Sequence, residues 1–321
     1  MIQPETDDEH IFAPFLRERG VVVVDGALAT ELESRGANLA DPLWSARVLL
    51  ERPSLIREVH ADYLAAGADV VIAATYQATV EGFAARGIAP SDAAQLIRGA
   101  VTLACEARDT FWSDPRNRLR RCRPLVAASV GPYGASLADG SEYRGDYAIT
   151  EDGLVAWHRD RFALLAHSGA DLLACETIPC GDEARAMLRL LDELPQARAW
   201  IAFSARDDAH ISSGERFDQL AAVVGAHPQV IAVGINCTAP AHVVSLIRAA
   251  RAVTATPVIV YPNSGETYDA VARRWTVPVT CAPYVQLARE WRAAGAVAIG
   301  GCCRTTPADI QSIAHGCTPH T

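Results

Sequence analysis

Three cysteines stand where chemistry is easiest to build. Cys237 follows the apolar run VIAVGIN, and Cys302 and Cys303 follow AVAIGG. Three thiolates form a soft, electron-rich set that suits Zn²⁺ and leaves one of four tetrahedral positions open. Side chains alternate along a strand, so adjacent cysteines cannot both face one metal from regular β structure. Gly300 and Gly301 supply the freedom to break the strand at that point. The competing reading is buried structural thiols or an incidental vicinal pair, because no CxxC pair is present. Two carboxylates also end apolar runs: Asp25 in VVVVDGALATEL and Glu176 in LLACET. Burying a carboxylate unpaired is costly, and two such groups suit an ammonium ligand. Their alternative is capping of the loop or helix that follows.

Other candidates carry less. Cys175 precedes Glu176, so if Glu176 points into a barrel mouth, Cys175 packs outward against helices. Cys105 falls in an apolar helix, Cys122 in a basic run, and Cys180, Cys281 and Cys317 in loops or the tail. The nine His are scattered, with no HxH or HExxH, and His60 and His158 fall on helical patterns. The sequence contains no Lys: all 29 basic residues are Arg, which excludes Schiff-base chemistry and a P-loop lysine.

The elements that must position these groups are eight short β-rich runs. They are Val21–Asp25, Asp69–Thr75, Leu125–Val130, Asp171–Glu176, Ala199–Ser204, Val230–Asn236, Pro257–Tyr261 and Ala296–Gly301. Most are apolar on consecutive positions, as in strands buried on both faces of a parallel sheet. Helical patterns lie between them, and Gly67, Gly169 and Gly295 read as helix C-terminal glycines. Thr306, Pro307 and Asp309 read as a helix start just past the cysteine pair. Eight strand–helix units match a single (β/α)8 barrel of the α/β class over residues 1–321, with about 1–18 as a lead-in. A doubly wound sheet is the alternative, but the first strand runs into DGALATEL with no GxGxxG. The loop Gly131–Thr150, GPYGASLADGSEYRGDYAIT, follows a strand's C-terminal end and is a lid candidate. The basic run Arg116–Arg123 reads as a solvated surface loop.

The chain has 321 residues, 50% of them hydrophobic, and a net charge of −9. That length buries a sizeable core, and the acidic balance argues against nucleic-acid or anionic-membrane partners. The N-terminus MIQPETDDEHIF lacks a signal-like apolar run, and no stretch reaches membrane-span length. A cytoplasmic setting is expected. Nine Cys there favour thiol or metal roles over a disulfide framework.

At this point the sequence resembles the homocysteine S-methyltransferase family. The carriers are DGALATEL (25–32), NLADPLWSA (38–46), SVGPYGASLADGSEYRGDY (129–147), LLACET (172–177), GINC (234–237), VYPNSGETYD (260–269) and GGCCRTTP (300–307). They run in order over about residues 20–315. The resemblance implies that Cys237, Cys302 and Cys303 bind zinc and that Asp25 and Glu176 hold the homocysteine ammonium. It implies that backbone amides around Gly26 and Ala27 take the carboxylate and that Trp44 lines the methyl-donor pocket. The NLADPLWSA segment and the long loop look like the branch that uses S-methylmethionine and, less well, S-adenosylmethionine.

The implied chemistry agrees with the residue types. A free thiol is mostly protonated at pH 7, and metal coordination removes that proton. The thiolate then attacks a sulfonium methyl, and the leaving group is a neutral thioether that needs no general acid. No catalytic residue beyond the zinc-activated substrate thiolate is therefore expected. The loop offers Tyr133, Tyr143, Tyr147, Asp139, Glu142 and Asp146 to a cationic donor; among these Tyr133 is taken as a substrate-pocket residue. The alternatives are methylation of selenocysteine or selenohomocysteine and, in a different class, a non-catalytic zinc or thiol-binding protein. A monomer is expected.

Overall fold

The computed structural model describes residues 10–39, 45–265, 267–269, 274–276 and 283–317. Its main sheet has eight strands: β1 (Val22–Val23), β2 (Val70–Ala73), β3 (Leu125–Val130), β4 (Leu172–Ile178), β5 (Ala199–Phe203), β6 (Val230–Asn236), β7 (Val258–Tyr261) and β8 (Ala296–Ile299). All pairings are parallel, and each strand from β2 to β8 lies beside its chain neighbour. Strand β1 pairs with β8. A parallel bridge between Val24 and Val70 closes the ring. Each of the eight β-rich runs thus supplies one barrel strand.

The ring closes with help from two side chains. Asp25 Oδ2 accepts from the Ile72 amide at 2.8 Å, and Asp69 Oδ2 accepts from the Val23 amide at 2.9 Å. Carboxylates here do what ladder carbonyls do elsewhere, on either side of a very short pairing.

Alternation along the strands divides the core into two shells. Val22, Val24, Ala174, Trp200, Ile259 and Tyr261 fill the barrel interior. Val23, Val71, Leu173, Cys175, Ile201 and Val260 pack outward against the helices. The stretch read as a lead-in contains most of a helix, Ala13–Arg19; Phe12 just before it and Phe15 within it belong to the inner shell. His10 Nε2 meets Ile231 O at 2.9 Å, and Arg19 Nη1 donates to Asp69 Oδ1 at 2.9 Å. This segment plugs the end where the strands begin.

The helix ends follow the expected chemistry. Gly67 and Gly295 cap the helices Pro53–Ala66 and Tyr284–Ala294 at φ of +110° and +118°, angles that only glycine takes readily. Gly169, at φ +92°, sits in the turn beyond helix Glu151–Ala166 instead of directly at its cap. The basic run is not all solvated surface. Arg121 reaches inward to Leu64 O at 2.9 Å and Ala68 O at 2.5 Å, adding a donor at the end of a helix. A short antiparallel hairpin, Thr267–Asp269 with Arg274–Thr276, follows β7 and was not expected from the sequence. Among the described residues no helix is long and apolar enough to cross a membrane.

Candidate metal centre and substrate pocket

Two loop geometries bring the three thiols together. Cys237 directly follows β6 with φ of +47°, and its amide donates to Tyr261 O at 3.3 Å. After β8 the chain leaves the ladder step by step. Gly300 N donates to Val260 O at 3.0 Å, Gly301 N to Asp25 O at 3.0 Å and Cys302 N to Pro262 O at 2.8 Å. A Cβ on Gly300 would lie 2.6 Å from Val24 Cβ, and one on Gly301 would run into Thr305 Oγ1. The glycines therefore do more than loosen the strand: no side chain fits there. Arg304 at φ +68° completes the turn, and Thr305 Oγ1 donates to Cys302 O at 2.7 Å. Helix Pro307–Gly316 starts with a Thr306–Asp309 capping box.

The three Sγ atoms lie within 4.8 Å of one another, and Cys237 Sγ to Cys303 Sγ is 3.6 Å. That separation is far beyond a disulfide bond of ~2.05 Å. It matches the ~3.8 Å edge expected between thiolates held tetrahedrally at ~2.3 Å from zinc. The donor set therefore fits a metal. Its electrostatics point the same way. Hydrogen bonds from Cys302, Cys303 and Tyr143 pull Cys237 well below the ordinary thiol value. Contact with that thiolate pushes Cys302 and Cys303 up. One sulfur ionises easily and the others resist, so full ionisation calls for a cation among them.

Glu176 ends the inward face of β4 and is 8% exposed. Burial pushes its carboxyl up to about 7, against hydrogen bonds from Ser129 and Tyr261 that favour the charge. Ser129 Oγ donates to Glu176 Oε1, and Trp200 Nε1 donates to Tyr261 OH at 2.9 Å. Asp25 is also buried, and its carboxyl is raised by burial and further by the charge of Glu176. The two carboxylates repel each other across the pocket, and a bound cation would relieve both.

The other expected positions differ in where they fall. The Ala27 amide is engaged by Thr305 Oγ1 at 3.2 Å, so of the two amides expected to meet a carboxylate this one has an internal partner. Cys175 packs outward, and burial holds its thiol protonated. Trp44 lies outside the described residues. Tyr133 turns its ring toward Tyr147 at 5.3 Å and Trp157 at 5.1 Å, while its amide donates to Glu183 Oε1 at 2.5 Å. The loop tyrosine that reaches the thiols is Tyr143, whose hydroxyl is 3.1 Å from Cys237 Sγ. The residue is partly open to solvent, although its hydroxyl meets a buried thiol.

The loop Gly131–Thr150 holds a short helix, Tyr133–Leu137, and a 3₁₀ turn, Ser141–Tyr143. Buried polar groups anchor it. His158 Nε2 meets Glu183 Oε1 at 2.7 Å, and Arg161 donates to Gly131 O, Thr75 O and Tyr76 O at 3.2, 2.7 and 2.7 Å. Asn236, within GINC, binds the β4 end: its Oδ1 accepts from Thr177 N at 2.7 Å and its Nδ2 donates to Thr177 Oγ1 at 2.8 Å. Sequence reasoning left Ser129, Trp200, Asn236 and Tyr261 unassigned. The available signal was strand parity, since each sits on the inward face of a run already read as a strand.

The family model for homocysteine S-methyltransferase matches residues 22–317. The chain belongs to the homocysteine S-methyltransferase family. It is therefore an enzyme of the methyltransferase class, and the reading as a non-catalytic thiol protein is set aside. A homocysteine S-methyltransferase of Bacillus subtilis is 55% identical over 294 residues, covering 92% of this chain and 93% of that one. Selenocysteine Se-methyltransferase of Brassica oleracea is 46% identical, covering 92% and 88%. The metallated form of the homocysteine methyltransferase MmuM from Escherichia coli superposes with a TM-score of 0.84 at 46% identity, covering 95% of this chain and 99% of that one. Within the family, the barrel of this chain thus has a solved counterpart whose name records a metal.

Proposed function

We propose that this protein is a zinc-dependent enzyme that transfers a methyl group from S-methylmethionine, and less well from S-adenosylmethionine, to homocysteine, giving methionine. The observation that carries the reading is the convergence of Cys237, Cys302 and Cys303 at the rim where Glu176 and Asp25 also lie. The three cysteines would hold the metal, leaving a fourth position for the substrate sulfur. Bound zinc would keep that sulfur as a thiolate at neutral pH.

The chain's own residues do the rest. Glu176 and Asp25 receive the homocysteine ammonium, whose charge offsets the cost of burying theirs. That fixes the amino-acid end and aims the sulfur at the thiols. Ser129, Tyr261 and Trp200 fix the rotamer of Glu176. The Gly131–Thr150 loop brings Tyr143 over the thiols and excludes water. The sulfur's electron pair forms the new S–CH₃ bond while the old one breaks toward the sulfonium sulfur. The leaving group is a neutral thioether, so the site needs no proton donor.

The same geometry would accept a selenol, and the Brassica relative gives that second reading its support. The proposal includes a cytoplasmic monomer without nucleic-acid or membrane partners, in keeping with a net charge of −9. Metal analysis tests the centre: Cys237→Ala, Cys302→Ala and Cys303→Ala should each lose zinc and activity, and Cys175→Ala should keep both. Stoichiometric zinc in the three rim variants would sink the assignment. Transfer assays with homocysteine and selenocysteine against each donor then rank acceptors and donors.

A further inference from the structure

Every carboxylate of the pocket has a task in that reading except one. Glu142 lies in the turn Ser141–Tyr143, next to the tyrosine whose hydroxyl meets Cys237. Its charge is felt by Cys237 and the Tyr76 hydroxyl, and Arg144 offsets it only in part. Its Oε2 is buried and has no hydrogen-bond partner. Among the described residues it forms no ion pair. The nearest cation in sequence, Arg144, is spent on Asp146 at 3.2 Å, Ser141 Oγ at 2.9 Å and Asp139 O at 3.2 Å.

The backbone around Glu142 is held firmly. Ser204 Oγ donates to Glu142 O at 3.3 Å, and a Cβ on Gly134 would lie 2.5 Å from Glu142 N, so the short lid helix packs directly on this turn. A buried, unpaired carboxylate oxygen is costly unless a ligand supplies its partner. Two further buried oxygens without partners, Gln77 Oε1 and Asn263 Oδ1, lie on loops that follow β2 and β7 at the same barrel end. All three oxygens accept hydrogen bonds, but only Glu142 adds a negative charge, so the charge complement of this site is a cation.

We propose that Glu142 is the residue that binds the positive charge of the sulfonium donor, so that the lid selects a cation over the neutral thioether it becomes. This rests on the methyl-transfer reading above. Transfer turns the donor's sulfonium into a thioether and removes the charge, so Glu142 loses its partner at the moment of reaction. The carboxylate therefore favours entry of the donor and release of the product.

The test compares S-methylmethionine with methionine, which differ at the sulfur by one methyl and one charge. Calorimetric binding of each is measured on metal-loaded wild type, Glu142→Gln and Glu142→Asp. Glu142→Gln should lose about tenfold or more in affinity for S-methylmethionine, the scale of one charge-assisted hydrogen bond, and keep its affinity for methionine. Glu142→Asp should recover part of the loss, and zinc content and homocysteine binding should not change. An equal loss on both ligands would show that the residue only shapes the pocket, and no loss on the sulfonium would also overturn the proposal. If wild type shows this charge discrimination yet fails to methylate homocysteine from S-methylmethionine, the donor assignment falls and the role of Glu142 stands.

Discussion

Glu176, proposed to bind the substrate ammonium, illustrates how a buried charge costs the free protein stability. Its folded-state carboxyl, pushed up to about 7, lies above the ordinary 4.5. The folded chain thus holds the proton more tightly than the unfolded chain. The cost of the buried charge is fully present above about pH 7, is relieved as the pH falls through that value, and is gone near the ordinary value. The gap corresponds to roughly 3 kcal/mol. Glu176→Gln should therefore raise the Tm of the ligand-free protein at pH 8 and leave it nearly unchanged at pH 5. The same variant should weaken homocysteine binding by roughly tenfold or more, the loss of a charge-assisted bond, while zinc content stays normal. Equal Tm values for variant and wild type at pH 8 would mean that the charge is buried at no cost. Glu176 and Asp25 were legible because a carboxylate ending an apolar run has few bland explanations. Ser129 and Tyr261 were not, because a hydroxyl on a strand's inward face reads as ordinary core until its partner is known.

At the level of elements, the strands were the easiest to read, since short consecutive apolar runs between capped helices read as strands buried on both faces. The interior of the Gly131–Thr150 loop was harder. Its conformation depends on the buried anchors Glu183, His158 and Arg161, which lie outside it in sequence. That is why Tyr143 and not Tyr133 reaches the thiols. Replacing Ala135–Gly145 with a short Gly-Ser linker removes both Glu142 and Tyr143. Transfer from S-methylmethionine should fall far more than zinc or homocysteine binding, and far more than any transfer from S-adenosylmethionine. Steady-state rates with both donors check this. A fall by one common factor would leave the loop no part in donor choice, and unchanged rates would show that it is not a lid.

For the molecule as a whole, the two ends of the barrel have separate duties. Cysteines and carboxylates occupy the end where strands finish, while Phe12 and Phe15 seal the end where they begin. In the sequence the plug looks like a lead-in, because its helix, Ala13–Arg19, has only seven residues and so too little periodicity to register. Phe12→Ala should cost about 3–5 kcal/mol, the scale for a fully buried phenylalanine. The folded fraction should retain its full metal content, because the plug and the thiols sit at opposite ends. Denaturant melts with parallel zinc analysis test both halves of that statement, and loss of zinc from folded Phe12→Ala protein would contradict it.

The seam between β1 and β2 is where the parallel ladder of the barrel is shortest. One bridge, a backbone bond from Asp69 N to Val23 O at 2.6 Å and two carboxylates close it, and Asp25, one of the carboxylates, is also a proposed contact for the substrate ammonium. The Ile72 amide and an ammonium bound there would share one carboxylate, whereas the Val23 amide is on Asp69, which has no part in the proposed pocket. Hydrogen–deuterium exchange resolves the two. Homocysteine should change the exchange rate at Ile72 and leave Val23 as a silent control, so that occupancy of the pocket is read as a rate at the barrel wall.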